Sequence, residues 1–148
     1  MTEREEKAKA WLNRNYGMSL KLEAIGRRLE RMESDLEKVC KPIRLKEVQE
    51  NEGAGNGQEE RMAEYIDLSV QLERELMILL AKDKETLRVI SMIEGETLQA
   101  ILIERYVNRL KWDKVLAHLP PMDKSTLFRY HLQALSAILP YIPEEAKG

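Results

Sequence analysis

From Met18 to Val39 the apolar residues Met18, Leu22, Ile25, Leu29, Met32, Leu36 and Val39 recur at alternating steps of four and three. That spacing keeps one narrow apolar stripe on a slightly underwound α-helix and cannot be buried by a strand, whose side chains alternate with period two. Extending the count backwards, Trp11 falls seven residues before Met18, and Asn15 takes the intervening position. The pattern predicts a long helix over about residues 2–40. A kink or break is expected near Asn15–Gly17, where a polar position and a glycine weaken the stripe. Gly26 lies off the stripe and costs about 1 kcal/mol relative to alanine, which a long packed helix absorbs.

Pro42 is expected to end this helix. Residues 41–60, KPIRLKEVQENEGAGNGQEE, have no apolar periodicity, so a flexible loop is expected over about 41–58. The glycine cluster has neither a preceding strand nor a following GK[ST], so it does not read as a phosphate-binding loop. A second long helix is predicted from about Gln58 to Ile93. Met62, Tyr65, Ser69, Leu72, Leu76 and Leu79 repeat the three-and-four rhythm, while Ile66, Val70, Met77 and Leu80 widen the apolar face. An antiparallel hairpin of the two helices is the economical arrangement. The second helix is apolar on more sides than one partner covers, which points to a second copy of the chain.

Near Glu94–Gly95 the pattern changes. Leu98, Ile101, Leu102 and Tyr106 mark one face of a first short helix, and Trp112, Val115, Leu116 and Leu119 mark a second, stopped by Pro120-Pro121. Asp123 is placed to cap a third, with Leu127, Tyr130, Ala134 and Ile138 inward. Two such helices split by a short turn and buttressed by one before them make a helix-turn-helix pattern. The expected fold is therefore all-α. A long antiparallel, coiled-coil-like hairpin over 1–95 serves oligomerisation; a three-helix helix-turn-helix module over 96–142 and a frayed tail over 143–148 follow.

The run LIERYVNRLKWDKVLAHL, continued by STLFRYHLQAL, resembles the helix-turn-helix of sigma factor region 4. More closely, it is similar to small phage and prophage proteins grouped with ArpU-like and RinA-like late transcription regulators. The resemblance rests on L-x-x-R-Y at Leu102–Tyr106, W-[DE]-x-[VI] at Trp112–Val115 and R-[YL]-H-x-x-A-L at Arg129–Leu135, with AKAWL at Ala8–Leu12 and the heptads behind it. It implies a transcriptional regulator of phage or prophage genes in the cytoplasm of a bacterial host, binding double-stranded DNA as a homodimer with its last helix in the major groove. Lys124, Ser125, Thr126, Phe128, Arg129 and Gln133 would then face DNA, with Arg129 the best candidate for guanine and Arg109 and Lys111 clamping phosphates. Tyr106, Trp112 and Tyr130 read as packing residues, His131 as a polar contact or a phosphate partner, and His118 as exposed. The chain departs from the pattern in its Pro120-Pro121 turn, in Lys111 where a capping Ser or Thr is usual, and in the apolar pair Phe128 and Leu132 on the outward side.

Charge tempers this reading. The formal net charge is −2, and residues 96–148 hold seven Lys and Arg against six Asp and Glu. Phosphate neutralisation alone would not hold DNA, so a few placed cations and two acting copies are required. Two other expectations stay open: a hairpin with a helix-turn-helix also resembles the small subunit of phage DNA-packaging terminases, and the near-neutral charge suits an adaptor that contacts RNA polymerase without reading DNA itself. Cys40 is the single cysteine and suits a reducing compartment. No apolar run suggests a leader or a membrane span. No spacing of His, Cys, Ser or carboxylates suggests a metal site, a cofactor or a catalytic group, so no enzyme is expected.

Overall fold

The computed structural model describes residues 1–45 and 51–143, with side chains over 1–38 and 57–143. Among the described residues six α-helices follow one another: α1 (Glu3–Leu12), α2 (Tyr16–Leu45), α3 (Asn51–Ile90), α4 (Glu96–Leu102), α5 (Trp112–Ala117) and α6 (Lys124–Ile138). A π-helical turn, Ile103–Val107, extends α4, and a 3₁₀ turn, Leu139–Tyr141, extends α6. The fold is all-α, and no strand occurs among the described residues.

The chain divides into two compact units. One comprises Met1–Gly17 and Leu80–Gly148, the other Met18–Leu79. The division departs from the expected boundary near residue 95, because the N-terminal helix belongs with the C-terminal module. In the first unit Ala8, Trp11 and Leu12 of α1 join Val89, Ile90 and Ile93 of α3 and its following turn. Leu102, Tyr106, Ala134, Leu135, Ile138 and Ile142 complete that core. Trp11 is thus a core residue of this unit and takes no place on the hairpin stripe.

The expected break is real and lies at Asn13–Asn15. Asn13 N–H still donates to Lys9 O, but Arg14 N–H turns back to Trp11 O. The Arg14 guanidinium caps the same Trp11 carbonyl at 3.1 Å and stacks 3.9 Å from the Trp11 ring centroid. It also donates to Lys82 O and pairs with Glu85 at 3.5 Å. One side chain therefore ends α1 and ties it to the last turns of α3. At its other end α1 begins with a capping box: Thr2 Oγ1 accepts from Glu5 N–H, and the Glu5 carboxylate accepts from Thr2 N–H. The Thr2 hydroxyl donates to the Glu5 carboxylate at 2.7 Å, and this bond, with the one from Thr2 N–H, holds the Glu5 carboxyl below its usual pKa.

In the second unit α2 and α3 run antiparallel, as Lys21 pairing with Glu75 at 2.6 Å shows at one end. Towards the other, Met32 and Leu36 border a cavity with Arg61 and Glu64. Leu22, Met32, Leu36 and Leu79 are buried. Two expectations need correction here. The backbone stays helical past Pro42 to Leu45, since a proline removes one amide donor and leaves its neighbours' bonds available. And α3 begins at Asn51, so the glycine cluster lies in helix; once a nucleus exists, each added residue gains a bond that offsets glycine's poor propensity. The rest of the expected loop, residues 46–50, lies outside the described residues, as does the tail over 144–148.

Candidate functional site

The module of α4, α5 and α6 closes on its own small core of Ile101, Val115 and Leu127, flanked by Leu110, Trp112, Leu116, Leu119, Met122 and Tyr130. Helix α4 starts after Gly95, whose φ of 99° belongs to the left-handed region that favours glycine. At its far end the π turn is closed by Asn108 N–H donating to Ile103 O. Its Tyr106 is buried, and the Tyr106 hydroxyl lies 2.6 Å from His131 Nε2 of α6.

His131 is itself only 4% exposed, with the Trp112 ring edge-on at 4.7 Å between centroids. Burial pushes its pKa down to about 4, and burial also raises the Tyr106 hydroxyl to about 12. The pair therefore stands as a neutral hydrogen-bonded link between α4's extension and α6 at physiological pH. His131 makes its polar contact inside the core, with Tyr106, and its burial corrects the alternative expectation of a phosphate partner.

Helix α5 begins at Trp112 after Lys111, whose extended backbone gives no side-chain cap. Arg105 fixes the approach to it, donating to Leu110 O at 3.0 Å with its guanidinium 4.7 Å from the Trp112 ring. Hydrogen bonds with His118 and then Asn108 hold the Glu104 carboxyl below its usual pKa. His118 is exposed as expected.

Helix α6 begins where the sequence places it. Asp123 Oδ1 accepts from Thr126 N–H at 2.8 Å, and hydrogen bonding from the Thr126 hydroxyl, together with that backbone bond, lowers the Asp123 pKa. Leu127, His131, Ala134, Leu135 and Ile138 face inward. Lys124, Ser125, Phe128, Arg129 and Gln133 are exposed, Thr126 is half-buried, and Lys111 is exposed at the start of α5. Six of the eight expected contact residues thus share the outer surface of the helix-turn-helix. Lys124 reaches Asp113 at 3.7 Å, but with both side chains more than two-thirds exposed this contact restrains it little.

Arg109 does not belong to that surface. Its guanidinium grips Asp83 of α3 at 2.7 and 3.1 Å and donates to Val107 O at 2.7 Å, with the Arg109 and Asp83 side chains 15% and 14% exposed. A φ of 58° at Arg109 turns the chain there. A bidentate carboxylate partner occupies the donors that a phosphate would need. Arg109 is a structural clamp, and the sequence offered no sign of this because Asp83 is 26 residues away. Leu132 is likewise corrected: it is half-buried and packs against the larger core. Phe128 stays 42% exposed, its ring edge-on to Trp112 at 5.3 Å.

Among the described residues no group of three or more His, Cys, Asp or Glu is placed to hold a metal ion, and no helix is long and apolar enough to cross a membrane. No family model matches this chain, and neither a curated protein nor a solved structure resembles it closely enough to count as a match.

Proposed function

We propose that this protein is a sequence-reading DNA-binding regulator, of the phage or prophage kind that its motifs resemble, acting as a pair of chains through α6. The observation that carries the reading is the division of α6 into two faces. Its inner face is closed on two cores, while Ser125, Arg129 and Gln133 stand outward along successive turns beside Lys124. A rigid helix with exposed polar side chains along its N-terminal half is what entry into a major groove requires. Arg129 supplies the bidentate fork for guanine O6 and N7, Gln133 suits adenine, and Lys124 and Lys111 suit phosphates.

Selection of bound fragments from a randomised duplex pool tests this. Enrichment of a two-part site is expected. Arg129→Ala should relax one position of each half-site, a loss of roughly 1–3 kcal/mol of discrimination. Absence of enrichment at low salt, with no response to Arg129→Ala, overturns it.

A second reading is favoured by one observation, the exposed Phe128 at the middle of the same face. On that reading the module docks on RNA polymerase, and Phe128→Ala abolishes polymerase capture while Arg129→Ala leaves it intact.

A further inference from the structure

The helical hairpin of residues 18–79 leaves a stripe of large apolar side chains on α3 open to water. Met62, Ile66, Val70 and Met77 are 40%, 52%, 40% and 67% exposed. They step along one side of the helix, away from the buried Leu79, and isolated apolar residues do not line up this way. Beside the stripe a groove of about 590 Å³ is bordered by Val70 and Ile78 together with Asp67 and Arg74. Asp67 and Arg74 are one heptad apart on one flank, and neither forms an ion pair among the described residues.

We infer that this stripe is covered by the same stripe of a second copy, running antiparallel, with the two-fold axis between Gln71 and Leu72. The inference rests on the two-copy part of the reading above and adds the surface and the register. Charge decides between the two orientations. A parallel pair would set Glu73 against Glu73 and carry Asp67 and Arg74 of the two copies to opposite flanks, where neither meets an opposite charge across the contact. The antiparallel pair centred there sets Ile66 against Met77, lays Val70 along the aliphatic stem of Glu73, and brings Asp67 of each copy beside Arg74 of the other. The pattern is self-complementary, which is what a two-fold contact demands. The two Glu73 side chains, the charges on the stripe, then stand about 4.5 Å apart along the axis, each about a turn from Arg74 of the other copy, so the Asp67–Arg74 pairs on the flank set the orientation.

Two measurements on the full chain without DNA test the inference. In a Cys40→Ser background, the double variant Ile66→Cys/Met77→Cys is oxidised and run under denaturing conditions. It should give a covalent dimer, while each single-cysteine variant stays a monomer; eleven residues of helix put like positions about 16 Å out of step. Sedimentation should show that Arg74→Asp weakens dimerisation about tenfold, through two lost pairs of at most about 1 kcal/mol each. Adding Asp67→Arg should restore it. Helical circular dichroism of the variants should be unchanged.

Self-cross-linking by Ile66→Cys alone, or a monomer at all concentrations in sedimentation, overturns the inference. A dimer that cross-links as stated but selects no DNA sequence would retain it and remove the DNA-reading role instead. A monomer that still selects DNA would do the reverse.

Discussion

The two units are built from the same kind of helix and reach opposite degrees of closure. In the first, Ala8, Ile90, Leu102, Ala134, Leu135 and Ile138 have no exposed surface at all, because helices arrive from three separated parts of the chain. In the second, two helices face each other, few apolar residues are fully buried, and one side of α3 is left unpartnered. Two helices in contact bury one stripe each; a third direction of approach is needed to enclose a side chain completely. The first unit solves this within the chain by folding α1 back onto α6. The second leaves Met62, Ile66, Val70 and Met77 of α3 exposed.

The largest test of that contrast is Trp11→Ala. If α1 closes the first core, the substitution should destabilise that unit by about 3–5 kcal/mol, seen as a lower denaturation midpoint in the fluorescence of Trp112. If Trp11 were instead an end residue of the hairpin stripe, the Trp112 signal would scarcely move. The Leu22→Ala variant is the matched control, since it should weaken the hairpin and leave the Trp112 transition in place.

Acid sharpens the comparison next. His131 is buried and neutral in the first unit, with a folded pKa of about 4 against 6.5 for the free side chain. Above pH 6.5 both states are neutral and the shift has no effect. Between pH 6.5 and 4 the unfolded chain takes up a proton that the folded unit refuses, so stability falls as pH falls, by an amount on the order of 2–3 kcal/mol at pH 4. Urea midpoints read through Trp112 should drop over that window, and His131→Gln should flatten the drop while retaining a partner for the Tyr106 hydroxyl. An equal slope in both proteins would assign the acid sensitivity elsewhere.

The smallest expected effect lies in the hairpin. A methyl group at Gly26 of α2 meets nothing within 4 Å, so Gly26→Ala should stabilise this unit by about 0.5–1 kcal/mol through helix propensity alone. Thermal unfolding followed by circular dichroism reads this directly. A loss of stability would mean that the position is covered in solution.

Much of this architecture was legible from local pattern. The heptad from Met18 to Val39, the break before Gly17, the start of α4 at Glu96 and the Asp123 cap are all events of a few neighbouring residues, and short-range sterics and hydrogen bonds decide them. The outward face of α6 followed from helical period alone, which is why Lys124, Ser125, Arg129 and Gln133 stand where the sequence put them. Periodicity reports that a residue lies on an apolar side. It does not say which partner covers that side, and Trp11 fits the heptad count of α2 while packing in the other unit.

Three decisions belonged to the tertiary structure. Arg109 lost its surface role to Asp83, 26 residues away, and Arg14 became the clasp of α1 by reaching Lys82 and Glu85. His131 became a buried strut because Tyr106, 25 residues earlier, supplies its partner. The sequence by itself determined that the chain is helical, the Asp123 cap and most of the outward face of α6, since a helix is stabilised by contacts within four residues. Which charged side chains remain available for a ligand depends on neighbours brought together by folding over dozens of residues, and only the packed chain settled that.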